Sequence, residues 1–294
     1  KWSEYYTYTY REGVWWLASS ETTYGYGDYI TDYEKNDWKS GVGLRKKRSS
    51  SWGPMEENVE QIENADWDSI GYDLEYEVPL DKQMTLEQAG KRWWLAPDRV
   101  TDWEVKEKIF AEDVKFPEKM TELPDGAYIE YCDEARVLYT FHTVSDTDRY
   151  YYLVMYGLQD KVLSVLAETE SAIAYPKFYD GKIYYSTDIV EKVTRQTAED
   201  GAQEQEQNTE TEIIVGVRLN RMALDGSGKE VIYEYRYPKE TSDTLENSIP
   251  YLSLLYEIGG GEIIAEVYMG GEPHLFYRMQ TDGSGQELIG QVPK

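Results

Sequence analysis

Alternation with a period of two dominates the chain. Tyr5–Tyr10 reads YYTYTY, which places Tyr6, Tyr8 and Tyr10 on one face and Tyr5, Thr7 and Thr9 on the other. Similar runs lie at Tyr72–Val78, Arg136–Thr143, Tyr150–Tyr156, Lys182–Thr187, Ile213–Leu219, Val231–Tyr237 and Glu262–Met269. Turn signals fall between them, including Asp-Gly pairs at Asp125, Asp180, Asp225 and Asp282. Helical periodicity is confined to Thr85–Gly90, where Thr85 and Gln88 have the spacing of a capping box. That segment is short enough for one or two turns only. The pattern predicts an all-β chain of short strands.

The strands recur in units. Leu219–Ile232 (LNRMALDGSGKEVI) and Phe276–Ile289 (FYRMQTDGSGQELI) are identical at eight of 14 positions, with an offset of 57. WWLA occurs at Trp15–Ala18 and again at Trp93–Ala96, each time after a glycine-containing turn. Counting the apolar strand that follows each turn gives unit starts near 15, 93, 138, 184 and 264, two of the spacings being close to 45. A spacing of 45 is one four-stranded sheet. Repeated sheets of this size bury both faces only when packed radially, which predicts a β-propeller of four-stranded blades. Five blades are countable, with room for a sixth in the long first gap. Residues 1–294 read as one propeller domain. Asp188–Glu212, rich in Glu, Gln and Thr, reads as an inserted flexible loop.

The same segments carry a family resemblance. IYYSTD at Ile183–Asp188 resembles the YWTD element of low-density-lipoprotein-receptor type propellers, and Arg221–Ile232 resembles the segment that follows it there. Tyr175–Lys182 (YPKFYDGK) is similar to the proline and DGK turn of TolB-type propellers. The chain resembles a bacterial cell-envelope propeller family of unknown function that carries both features. The match runs over roughly Ile173–Gln291 and is thin before Leu123. It implies six blades and a setting on the outer face of a membrane, often as a lipoprotein. One unit alone keeps a YWTD-like string, and the unit at Val154–Ala167 lacks the DGSG turn.

Within the repeat, Asp225 and Asp282 are placed to accept a bond from the N–H two residues on. Gly226, Gly228, Gly283 and Gly285 tolerate positive φ. These are read as structural turn residues. Arg221 and Arg278, on the preceding strands, are expected to cover a neighbouring sheet and meet a carboxylate there.

Composition narrows the partners. The 294 residues include 56 acidic and 30 basic side chains, a formal charge of −26. That field repels phosphate backbones and anionic membranes, which argues against nucleic acid. High charge also marks disordered chains, but 14% aromatic and 40% hydrophobic residues suffice for a core. No apolar run has the ~18 residues of a membrane span. The chain begins Lys1-Trp2 with no methionine or signal sequence, and reads as a trimmed or mature fragment.

Chemistry-bearing motifs are sparse. Cys132 is the lone cysteine and reads as a small buried strand residue, and His142 and His274 lie far apart. No cofactor is expected. Gly226–Lys229 lacks both the preceding glycine and the following Ser or Thr of a phosphate-binding loop. Gly259–Gly261 has no third glycine at Ile264 and reads as a hairpin turn. No ligand ladder singles out a calcium site among the acids, and no metal site is assigned. Asp28, Asp133 and Glu257 lie near blade starts, from which carboxylates of different blades can converge on a funnel as in some glycosidases. With acids this abundant, a solvated acidic surface is the plainer reading. Trp15-Trp16 and Trp93-Trp94 read as core and inter-blade packing rather than a ligand platform. Arg45–Arg48, the basic run, reads as a solvated loop, with a docking or localisation signal as the sharper alternative.

The expectation is a non-catalytic, extracellular or cell-envelope propeller that binds a protein, peptide or glycan. No catalytic residue is assigned, and no ligand-binding residue can be named. Alternatives are a glycoside-hydrolase-like enzyme using funnel carboxylates, and a scaffold or sensor domain of a larger envelope protein.

Overall fold

The computed structural model describes residues 2–26, 29–48, 71–80, 128–132, 135–144, 149–157, 159–197, 207–237, 252–270 and 272–293. Among them there are 17 strands and no helix. The first sheet holds β1 (Trp2–Arg11), β2 (Val14–Tyr26), β3 (Tyr29–Asp37), β4 (Val42–Lys47) and β5 (Leu74–Pro79). The second holds β6 (Tyr128–Cys132), β7 (Arg136–Val144), β8 (Arg149–Gly157) and β9 (Leu163–Thr169). The third holds β10 (Ile173–Tyr179), β11 (Lys182–Thr197), β12 (Gln207–Ala223) and β13 (Glu230–Arg236). The fourth holds β14 (Leu252–Gly259), β15 (Glu262–Met269), β16 (His274–Gln280) and β17 (Glu287–Val292). Each is an antiparallel meander with its strands in chain order.

Tight turns set the register. Arg11↔Val14, Tyr179↔Lys182 and Gly259↔Glu262 each close a two-residue hairpin between the first and second strands of a sheet. Both central residues of each have positive φ, at Glu12-Gly13, Asp180-Gly181 and Gly260-Gly261. That conformation matches the right-handed twist of the flanking strands. The expected unit starts at 15, 138, 184 and 264 fall on β2, β7, β11 and β15, the second strand of every sheet. The start near 93 lies outside the described residues, with Thr85–Gly90, Trp93 and Trp94.

Three apolar clusters join the sheets in series. Leu138, Leu153 and Leu166 pack with Ile183, Tyr185 and Met222, joining the second sheet to the third. Tyr184, Leu219 and Tyr233 pack with Leu254, Ile263 and Met279, joining the third to the fourth. Leu74, Tyr76 and Val78 pack with Ile264, Phe276 and Val292, joining the fourth to the first. Successive side chains supply opposite interfaces: Tyr184 serves the fourth sheet and Tyr185 the second, as strand alternation requires. The first strands lie side by side, β6 against β10 and β10 against β14, towards a common axis. The earliest sheet thus meets the latest. The fold is an all-β propeller of antiparallel blades.

Repeated polar straps supplement the clusters. Arg221 Nη1 donates to Thr281 O of the fourth sheet at 2.9 Å, and Arg278 Nη2 donates to Glu77 O of the first at 2.8 Å. Their carboxylate partners, Glu230 and Glu262, lie on their own sheets. The arginines therefore meet a backbone carbonyl across the interface, not the carboxylate expected there. In the turns, Ser227 N and Ser284 N each donate to the preceding aspartate Oδ1 at 2.9 Å, and all four glycines have positive φ. Gly226 lies against the backbone of Leu166 and Gly283 against Ile232 O, each on the last strand of the preceding sheet. The β8–β9 turn uses other residues, with Lys161 at positive φ and Asp160 Oδ1 accepting from Val162 N.

Two features depart from expectation. The first sheet has five strands instead of four. Asp188–Glu212 is also not a simple loop, since β11 and β12 stay paired out to Thr197↔Gln207, with 198–206 outside the described residues. Alternating Thr, Val and Ile suit a ribbon. Asp188 sits where β11 outruns its partner β10, whose pairing ends at Ile173↔Thr187. Burial pushes its carboxyl up to about 6.

Two predictions follow from these contacts. Gly283→Ala should cost about 3 kcal/mol, and Gly285→Ala only about 1, because both have positive φ but Gly283 alone abuts a carbonyl; urea midpoints compare them. Asp188 binds its proton more tightly folded than unfolded, so its contribution is lost as pH rises from about 4 through 6. Asp188→Asn should therefore raise stability by roughly 1–2 kcal/mol at pH 8 and by almost nothing at pH 4, read from urea melts.

Candidate functional site

The first sheet presents an ordered polar face. Cross-strand pairing aligns Glu4, Thr22, Glu34, Arg45 and Tyr76 in one row. The next row in the same register is Tyr6, Ser20, Asn36, Gly43 and Val78. Pairs directly opposite share a face, and residues two apart share it too. Arg45, Lys47, Glu34, Asn36 and Asp32 therefore all point one way, towards the fourth sheet.

Arg45 is the centre of this face. Its side chain is 5% exposed. Nε donates to Glu257 Oε1 at 2.9 Å, and Nη2 donates to Oε2 at 2.6 Å, a two-pronged clamp from β4 onto β14. Nη1 donates to Asn36 Oδ1 at 2.9 Å, and Asn36 Nδ2 donates to Ser20 Oγ at 3.0 Å. Gly43 makes this geometry available. A Cβ there would come within 2.8 Å of Asn36 Oδ1 and 2.9 Å of Arg45 Nη1.

A second pair runs parallel. Lys47 Nζ lies 2.7 Å from Asp32 Oδ1 and 3.8 Å from Glu266 Oε2, while Glu266 Oε1 pairs with His274 Nδ1 at 2.8 Å. From the third sheet, Lys177 Nζ donates to Tyr256 O at 2.6 Å and lies over the Tyr256 ring. Tyr256 Oη donates back to Tyr175 O. The charged residues thus come from β3, β4, β10, β14 and β15.

Protonation follows from burial among these charges. Burial raises the Glu34 carboxyl, with Arg45 opposing and Glu257 adding to the shift. Burial lowers the Lys177 ammonium, with the Glu257 and Glu34 charges opposing. Tyr76 is pushed well above the usual phenol range by burial, then by Glu257 and Glu266, so it stays neutral.

Beside the clamp lies a pocket of about 210 Å3. Val78, Pro79, Leu80, Ile258 and Ile264 supply apolar walls, Trp38 an aromatic edge, and Asn36, Arg45, Glu257 and Glu262 the polar groups. Trp38 is set by the turn after β3, where its N donates to Ala18 O and Asp37 Oδ1 accepts from Lys39 N.

Of the carboxylates considered from sequence, Glu257 lies in this site, and Asp28 and Asp133 lie outside the described residues. Arg45–Lys47 is strand β4, not a solvated loop, and two of its residues cross the interface to acids. The strand period in VGLRKK, after the Asp37–Gly41 turn, is the signal that places Arg45 and Lys47 on one face. His142 lies in a tilted ring contact with Tyr151 in the second sheet, away from His274. Cys132 ends β6. Exposed Tyr5, Tyr10 and Tyr24 decorate β1 and β2.

No known family model matches the chain, and no curated protein sequence matches it. Among solved structures it is similar to a "putative TolB" from Agrobacterium tumefaciens, with TM-score 0.36 and 12% identity over 98% of this chain and 77% of that one. It is also similar to an oligogalacturonate lyase from Vibrio parahaemolyticus, with TM-score 0.33 and 8% identity over 99% and 73%. Similarity at this level transfers no activity, ligand or site residue.

Replacing Arg45 with methionine strands Glu257 and Asn36 at the interface. Since Glu257 is 38% exposed, the cost should be about 2 kcal/mol, below that of a fully buried pair. Thermal melts of Arg45→Met and of the double variant with Glu257→Gln check this; the double variant should recover part of the loss.

Proposed function

We propose that the protein is a non-catalytic propeller module that binds a protein, peptide or glycan at the pocket between β3–β5 and β14–β15. The Arg45–Glu257 clamp carries this reading. A carboxylate held by both prongs of a buried guanidinium is a fixed acceptor and wall, poorly suited to pass protons. Its neighbours combine apolar walls with a few convergent polar groups, the usual make-up of a recognition site. The resemblance of the sequence to envelope propellers supports a cell-envelope or extracellular setting.

One observation favours the glycosidase-like alternative. Glu34 and Glu257 reach the same guanidinium from different sheets, and Glu34 has a raised pKa, as a general acid would. The exposed tyrosines on β1 and β2 would suit the scaffold reading, since aromatic surface favours protein contact.

Glycan-array and peptide-display screens should return a ligand whose affinity falls at least tenfold with Trp38→Ala, without turnover. Hydrolysis of a glycan that is abolished by Glu34→Gln and by Glu257→Gln separately would replace this reading with the enzymatic one.

A further inference from the structure

We infer that the pocket takes the basic side chain, lysine or arginine, of a peptide segment; this rests on the pocket being the ligand site. Size excludes most other occupants. Small-molecule sites commonly exceed about 300 Å3, whereas 210 Å3 suits a single side chain entering from a larger partner. The walls are graded. Val78, Pro79, Leu80, Ile258 and Ile264 offer apolar surface to a methylene stem, while Glu257 and Glu262 offer carboxylates to its charged tip.

The positive charge already in the pocket does not oppose this. Arg45 is buried, and its Nε, Nη1 and Nη2 are all engaged by Glu257, Asn36 and the Leu44 carbonyl. Glu262 is held loosely, 3.8 Å from Arg278 Nε and 3.5 Å from Gln280 Nε2, and is 32% exposed. Its acceptor capacity remains open to an incoming N–H. Among the lining side chains, two carboxylates face one guanidinium, and the whole chain carries −26. A cationic partner is therefore drawn to the molecule at long range and matched at short range. A neutral glycan would gain from Trp38 but would leave Glu262 without a charge partner from the ligand.

The test uses five blocked pentapeptides with Gly-Gly-X-Gly-Gly cores, where X is lysine, arginine, acetyl-lysine, norleucine or glutamate. Binding to the full chain is read from the Trp38 indole NMR signal, assigned by its loss in Trp38→Phe. Lysine and arginine peptides should shift it saturably, with acetyl-lysine, norleucine and glutamate at least tenfold weaker. Glu262→Gln should weaken the lysine peptide at least fivefold with an unchanged melting curve, and raising salt from 50 to 300 mM should do the same. Equal binding of norleucine and lysine would overturn the cationic assignment while keeping the pocket as the site. So would a neutral oligosaccharide that shifts the indole where no basic peptide does. Silence of the indole to every peptide and oligosaccharide would overturn both the assignment and the site.

Discussion

Arg45 is a buried cation at the seam between the first sheet and the fourth, and the surrounding structure answers to it. A guanidinium taken out of water is tolerable only with its donors matched. Glu257 matches two edges, Asn36 a third, and Gly43 leaves the room for the fork to lie across its own strand. Lys47 repeats the device one row along, through Asp32 and Glu266. Below them the seam is apolar, with Leu74, Tyr76 and Val78 against Ile264, Phe276 and Val292. The pocket lies where the charged and apolar parts of that seam adjoin.

The other interfaces solve the same problem with less charge. Between the second, third and fourth sheets, alternating side chains of one strand fill opposite interfaces, so a sheet of four strands is core on both faces. Arg221 and Arg278 then reach over to a backbone carbonyl of the next sheet, at positions 57 apart in sequence. These straps are more solvated than Arg45, their side chains being 13% and 34% exposed against 5%. The same residue type thus ties blades together in one place and shapes a site in another.

Much of this architecture can be read from the chain because strand alternation and turn chemistry are local. Glycine-bearing two-residue turns at Glu12-Gly13, Asp180-Gly181 and Gly260-Gly261 open three of the sheets, and the four expected starts within the described residues land on the second strand of their sheets. The site is less legible. Glu257 is visible as an acid near a blade start, but its partner lies 212 residues away, and nothing local links the two. The basic run around Arg45 looks like solvent-facing sequence because charge content outweighs period-two spacing in so short a window. Lys177 sits within a TolB-like turn motif whose resemblance concerns backbone shape, and its ammonium matters here through Tyr256 on another sheet. Asp188–Glu212 misleads for the opposite reason: polar composition suggests a loop, yet alternating Thr, Val and Ile sustain a ribbon.

The meeting of the earliest sheet with the latest also governs when the pocket can exist. During synthesis Arg45, Asn36 and Trp38 emerge long before Glu257, Glu262 and Ile264. Until the fourth sheet is made, the Arg45 guanidinium lacks the two-pronged Glu257 clamp and has only the looser Glu34 contact, and the apolar strip beside it is uncovered. A chain that stops short of the fourth sheet therefore lacks one wall of the pocket. The pocket is complete only once the fourth sheet has docked on the first.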